Sequence, residues 1–313
     1  MPGEQLTYAP TLRCWRFELK IDEWVRFKFA SHLETTQDAI PRIANNQVNE
    51  QEFIDYFQAP NTQLPVMITG ATGAWPAAER WATLERLETR FGNKKFKVGE
   101  DDDEHNAYLK FRYFIRCVRE DVHRDDSPLY RFDCNLKDTQ RNTGGGLASK
   151  AELLHDFVVP KYFREDLFYL MGRPAQTGTG FHFNPLGTSA WNSLLVTRKR
   201  WALFPPRTPR ELVDPPSMEA FDREVTSWFY HVLPNLIGIV EGLHHPGETI
   251  YVPGGRQRVV INLDSTVATT QDICAPMPFD YIEPKTRLAW PGLAAKLECE
   301  LKARRENRIE SSE

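Results

Sequence analysis

From residue 178 onward the chain breaks into short apolar stretches separated by tight turn signals, and this texture limits it to few folds. Ser189–Val196, Arg200–Phe204, Thr249–Val252, Arg258–Leu263 and Thr266–Thr270 read as strands. Between and around them stand Pro-Leu-Gly, Phe-Pro-Pro and Val-Pro-Gly-Gly, residue types that fix or free φ and so punctuate sheets. Strands at this density suggest a double-sheet jelly roll. Pro253-Gly-Gly255 is expected to be the tight turn that delivers residue 258 onto the next strand.

The first half has a different texture. Residues 1 to about 60 look polar and helical, with Asn49 and Glu52 as a capping box opening a short helix through Phe53, Ile54 and Phe57. Pro65–Thr69 is a short apolar strand ending at Gly70. Apolar residues at 84, 87 and 91 predict a helix within Trp81–Phe91, with Gly92 as its C-cap. Lys95–Val98 alternates like a half-exposed strand and runs into the acidic stretch Glu100–Glu104, a solvated turn. Pro128–Phe132 reads as a strand, Thr143–Gly146 as a loop and Lys296–Glu313 as a charged, partly helical tail.

Charge and cysteine content narrow the class. A net charge of -4 argues against whole-molecule electrostatic binding to nucleic acid or anionic lipid. Five scattered cysteines without a CxxC suit a reducing compartment and exclude a cysteine-rich zinc module. No basic-then-apolar leader and no run of eighteen apolar residues is evident, so a nuclear or cytosolic protein without a membrane partner is expected.

Gly178-Thr-Gly-Phe-His-Phe-Asn-Pro-Leu-Gly-Thr-Ser-Ala-Trp-Asn192, Lys199-Arg-Trp-Ala-Leu-Phe-Pro205 and Pro246-Gly-Glu-Thr-Ile-Tyr-Val-Pro-Gly-Gly255 resemble the JmjC family, in particular its arginine-demethylase and lysyl-hydroxylase branch. The likeness extends upstream through Trp81–Leu87, Lys95–Asp101, Arg124–Tyr130, Val159–Phe163 and Asp166–Phe168, and covers roughly residues 12 to 290. It implies an α+β, mainly β fold: a cupin-like double-stranded β-helix with N-terminal and flanking helices. The organisation that goes with it is a helical segment over 1–60, an α/β flanking region over 61–177, the core over 178–275 and a helical tail over 276–313.

Such enzymes bind Fe(II) and 2-oxoglutarate. The resemblance puts the metal ligands at positions 182, 184 and 258, and the 2-oxoglutarate contacts at Thr179, Asn192, Lys199 and Thr270. All four contact positions match in residue type. The metal positions depart: His182 is a good ligand, Asn184 offers a neutral amide where a carboxylate belongs, and Arg258 has no lone pair to give. About 4 Å from a divalent ion, even an effective dielectric of about 20 gives a guanidinium several kcal/mol of repulsion. Loss of Fe(II) and of oxygen activation is therefore expected, with 2-oxoglutarate binding retained, and the groove left as a binding module for a protein segment bearing lysine or arginine. The resemblance also implies nuclear RNA- or chromatin-associated complexes. The alternative is a working Fe(II)/2-oxoglutarate oxygenase with an atypical metal site.

Three further expectations concern single segments. The connection between Leu167 and Gly178 is shorter than in relatives, which puts one sheet edge in doubt. His231, His244 and His245 are the candidates for replacement ligands, and His244 and His245, just before Pro246 at a strand entrance, are expected to be surface or loop residues. Trp191 and Trp201 are expected in the core or a pocket wall.

Overall fold

Alternating apolar residues do become strands, and turn residues set where they end. The computed structural model describes residues 37–59, 64–100, 106–120, 131–133, 150–163, 169–173, 178–182, 184, 188–205, 208–213, 225–273, 287 and 295. The expectations for residues 1–36, Asp101–Glu104, Thr143–Gly146 and the tail from Lys296 lie outside these residues.

The strands run β1 (Arg42–Ala44), β2 (Val66–Thr69), β3 (Lys95–Glu100), β4 (Asn106–Lys110), β5 (Arg131–Asp133), β6 (Tyr169–Arg173) and β7 (Gly178–His182). They continue with β8 (Ser189–Val196), β9 (Lys199–Leu203), β10 (Val240–His244), β11 (Glu248–Val252), β12 (Arg258–Asn262) and β13 (Thr266–Ile273). One sheet has the order β1-β2-β11-β8-β13-β6-β5, a second β10-β9-β12-β7, and β3 with β4 forms a separate hairpin. Four of the seven strands in the large sheet, β1, β2, β5 and β6, precede residue 178.

Strand periodicity sorts the side chains into layers. Between the two sheets lie Met67, Ile250 and Val252 from one and Trp201, Leu203 and Val260 from the other. The outer face of the large sheet carries Trp191, which stacks on Phe163 at 5.9 Å and 8°. Helices cover that face: α1 (Glu50–Phe53), α2 (Pro76–Arg80), α3 (Leu84–Phe91) and α4 (Phe111–Glu120). Phe53, Trp81, Leu87, Phe91, Phe111, Phe114 and Ile115 share one apolar cluster with Trp191. After α5 (Arg210–Val213), α6 (Val225–His231) covers the outer face of the small sheet, where Trp228 and Phe229 join Ala202, Val259 and Ile261.

The chain around residue 40 clasps the two sheets at one edge. The Ala39 amide donates to the Glu241 carbonyl at 2.8 Å on β10, and the Met67 amide on β2 donates to Pro41 at 2.9 Å. Arg42 pairs with Asp38 at 2.9 Å and Glu248 at 2.7 Å. Ile40 presses so closely on Gly242 that a Cβ there would lie 3.1 Å from Ile40 Cβ and 2.4 Å from its Cδ1. Only glycine leaves room for the clasp.

The Asn49 capping box is complete, with both reciprocal bonds at 2.9 Å, and opens α1, which continues as a wider turn over Ile54–Gln58. Two expectations need correction. The segment before it is not all helical, because Arg42–Ala44 pairs in parallel with β2 and is held there by the clasp. The compressed connection before Gly178 does not cost a sheet edge either. Tyr169–Arg173 forms β6, which pairs with β13 on one side and β5 on the other.

Candidate functional site

The turn after β11 places the key residue. Gly255 takes φ of 69°, a conformation open to glycine at little cost, and the chain re-enters the sheet at Arg258. The Gly254 amide donates to Ser189 Oγ at 2.9 Å, which anchors the turn to the start of β8. Arg258 is then the register partner of His182 across β12 and β7, beside a register shift. Two distant sequence motifs thus meet at one point.

Arg258 is 7% exposed and its guanidinium Nη2 donates to Asn184 Oδ1. The same Asn184 amide donates from Nδ2 to the Thr188 carbonyl at 3.0 Å. An amide satisfies both neighbours at once; a carboxylate would set an oxygen against the Thr188 carbonyl. Burial pushes the Arg258 guanidinium down to about 10, opposed by the Asp272 carboxylate, so it remains a cation at neutral pH. Burial raises the Asp272 carboxyl in turn, and Arg258 pulls it back down. His182 Nδ1 lies 2.7 Å from the Gly180 carbonyl and donates to it, which fixes the ring and turns the Nε2 lone pair away from that contact. The donor set is therefore one imidazole, one amide oxygen engaged by a guanidinium, and that cation. Two His and a carboxylate on one face, the set that suits Fe(II), are not what these three positions supply.

Deeper between the sheets, three of the four expected 2-oxoglutarate positions come together. Asn192 on β8 and Thr270 on β13 are register partners. Lys199, 1% exposed on β9, crosses from the facing sheet to donate from Nζ to Asn192 Oδ1 at 3.3 Å. The Thr270 hydroxyl donates to the Trp191 carbonyl. Thr179 is placed by its backbone, opposite Val260 on β12.

His244 overturns the expectation of a surface loop. It ends β10 as the register partner of Lys199 and is fully buried. Its Nε2 donates to the Glu248 carbonyl at 2.8 Å, and its ring centroid lies 6.1 Å from that of Trp201. Burial pushes the imidazole down to about 3, opposed by the hydrogen bond to the Glu248 carbonyl and reinforced by the positive charges of Lys199 and Arg42. The unfolded chain then binds a proton that the folded chain refuses between about 6.5 and 3, so stability is lost as pH falls through that window. From pH 7 to pH 5 the expected loss from this group is about 2 kcal/mol. Urea unfolding at the two pH values should show a steeper loss in the wild type than in His244→Gln; equal losses would rule the effect out.

Asp272 and His244 escape a motif-based search, although signals for both exist. Asp272 stands two positions after Thr270, so strand alternation puts it on the same face. His244 is announced only by the antiparallel pairing of β10 with β9, which no local pattern encodes.

No protein-family model matches the chain. It is 38% identical over 281 residues to the bifunctional arginine demethylase and lysyl-hydroxylase psr-1 of Caenorhabditis briggsae, covering 82% of this chain and 67% of that one. The protein of the same name from Caenorhabditis elegans is 36% identical over 304 residues, or 89% and 72% of the two chains. The 2-oxoglutarate and iron-dependent oxygenase JMJD4 of Mus musculus is 24% identical over 262 residues, 71% of this chain and 58% of its own. Among the described residues no helix is long and apolar enough to cross a membrane. Likeness of this extent means that the chain belongs to the JmjC family of β-rich, cupin-like proteins.

Proposed function

We propose that this is a JmjC protein with a double-stranded β-helix core in which Arg258 occupies the position of the metal. It binds no Fe(II), does not activate oxygen, and works as a binding module whose pocket keeps a 2-oxoglutarate-type dicarboxylate. The observation that carries this is the buried Arg258 guanidinium donating to Asn184, with Asp272 as the nearby counter-charge. A divalent ion would have to displace that bond and sit against a cation. Removing one member of a buried charge pair typically costs about 3–5 kcal/mol, so the arrangement resists conversion by metal alone.

Asn192, Lys199 and Thr270, with Thr179, are the residues proposed to hold the acid. Lys199 faces Asn262 and Arg258 faces Leu203 across β9 and β12, so the two cations stand four positions apart, about 13 Å along the strands. Two cations on the inward face of one pair of strands suit a short diacid with a charge at each end. Isothermal calorimetry of the metal-free protein should detect 2-oxoglutarate binding at micromolar to millimolar concentration, and Lys199→Met should abolish it. No heat and no thermal shift in the wild type at millimolar ligand would sink the proposal.

The outer partner is a protein segment that presents lysine or arginine, the residues that the psr-1 proteins are named for. The location that goes with it is nuclear, in RNA- or chromatin-associated complexes. The domain organisation that goes with it is an N-terminal segment that combines helix with the strand Arg42–Ala44, an α/β flanking region, the β core and a helical tail. A second function is favoured by His182, whose Nδ1 is tied to a carbonyl in the manner of a metal-ligating imidazole. In that case the protein uses 2-oxoglutarate and O2 to hydroxylate lysine or demethylate methylarginine, releasing succinate and CO2 and, on demethylation, the methyl carbon as formaldehyde. Succinate release that depends on Fe(II) and on a lysine or arginine peptide separates the two.

A further inference from the structure

Among the described residues, two buried side-chain atoms on the neighbouring strands β9 and β10 have no hydrogen-bond partner, Trp201 Nε1 and His244 Nδ1, and the centroids of their rings lie 6.1 Å apart. An unpaired buried polar group costs about 1–3 kcal/mol, and native proteins hold few of them. Here two such atoms flank a third polar group. Trp201 lies two positions along β9 from Lys199 and so on the same face, while His244 is the cross-strand partner of Lys199. All three are within 4% of complete burial.

The chemistry of the three atoms is unequal. Trp201 Nε1 is a donor only, and the Lys199 ammonium carries three donors with a positive charge. His244 has its Nε2 proton committed to the Glu248 carbonyl, so Nδ1 presents a lone pair. The group seated here therefore needs acceptors for the indole and the ammonium, and an anion suits the charge. The imidazole lone pair suits a donor instead, and the neighbouring lysine carries three.

We propose that Trp201 and His244 complete a carboxylate subsite with Lys199. A carboxylate of a small dicarboxylic acid accepts from Trp201 Nε1 and from Lys199 Nζ, while His244 Nδ1 accepts a second ammonium hydrogen and holds the lysine in place. Trp201 is thus a ligand-contacting residue and His244 a positioning residue. This rests on the dicarboxylate pocket proposed above and adds two members to it.

The test uses the full, metal-free chain with 2-oxoglutarate and succinate as probes, and a capped glutamate peptide for a carboxylate borne on a polypeptide. Trp201→Phe keeps a ring and removes the N–H. Its dissociation constant for both free acids should rise about 10–100-fold, the ordinary range for a hydrogen bond to a charged group. In the wild type the Trp201 indole N–H resonance, assigned by its loss in Trp201→Phe, should move downfield when 2-oxoglutarate is added. His244→Asn keeps an acceptor near the Nδ1 position and His244→Gln does not, so the first should bind the acids more tightly than the second. A Trp201→Phe affinity within twofold of wild type, or a stationary indole resonance, overturns the subsite. Tighter binding of the glutamate peptide than of either free acid also overturns it. If Lys199→Met abolishes binding while Trp201→Phe does not affect it, only this inference fails; if the wild type binds neither acid, the pocket fails with it. Should Trp201→Phe not fold, the wild-type indole resonance, assigned instead by sequential triple-resonance spectroscopy, decides alone.

Discussion

Replacing both departed residues at once, Asn184→Asp with Arg258→His, is expected to create a site for Fe(II) or Mn(II), and the unmodified chain is expected to bind neither. The gain should be at least about 1,000-fold in affinity, because removing several kcal/mol of cation repulsion is worth a factor of ten per 1.4 kcal/mol. The single changes distinguish the contributions. Asn184→Asp alone leaves the guanidinium in place and builds a buried ion pair, so it gains no metal. It also turns an oxygen toward the Thr188 carbonyl, which now receives a hydrogen bond of 3.0 Å from the amide. Arg258→His alone leaves Asp272 without its counter-cation and should give at most weak binding. Anaerobic metal titration followed by spectroscopy or calorimetry measures all four proteins. Tight metal binding by the unmodified chain would refute the Arg258 proposal.

The second large effect concerns the scaffold. Asp156 is fully buried, yet its carboxylate accepts from Arg80 Nη1 at 2.5 Å, Trp81 Nε1 at 2.8 Å and Arg90 Nη1 at 2.9 Å. It ties α2 and α3 to the turn at Lys150–His155, and Trp81 packs edge-on against Phe157 at 5.9 Å. Asp156→Ala strands a fully buried indole donor and two arginines. The two arginines are partly exposed and can turn to water, so the cost should lie at the lower end for a broken buried pair, about 3 kcal/mol. For a domain of this size that lowers the thermal midpoint by about 6–12 °C. Asp156→Asn keeps one acceptor and should lose roughly half as much. A loss below about 1 kcal/mol in Asp156→Ala would mean that the carboxylate is not what holds this layer together.

How much of the fold and site is legible in the sequence depends on whether a signal is local. The turn at Pro253–Gly255, the capping box at Asn49 and the strand pattern after residue 178 are local, and each predicts its element. The meeting of Asn192, Lys199 and Thr270 follows from the family motifs. His244 is not legible, because a histidine before Pro-Gly resembles a loop residue until β10 is known to pair with β9. Gly242 in the middle of β10 weakens the strand pattern further, and its cause lies about 200 positions away in Ile40, where |i−j| for the neighbouring Arg42–Leu243 bond is 201. Phe111–Glu120 is the opposite case. Buried residues at 111, 114, 115 and 118 follow the full helical spacing, a local signal that is enough to announce the helix.

The clasp at Asp38–Arg42 bears on how the protein is born. Arg42 meets Glu248 across 206 positions of sequence. At about 5–20 residues per second, a ribosome delivers that partner some 10–40 s after the arginine. Throughout that interval β2 has no β11 to pair with, and its Val-Met-Ile segment presents a bare apolar edge of the kind that recruits other strands. A strand synthesised late, β11, therefore covers the edge of an early one, β2.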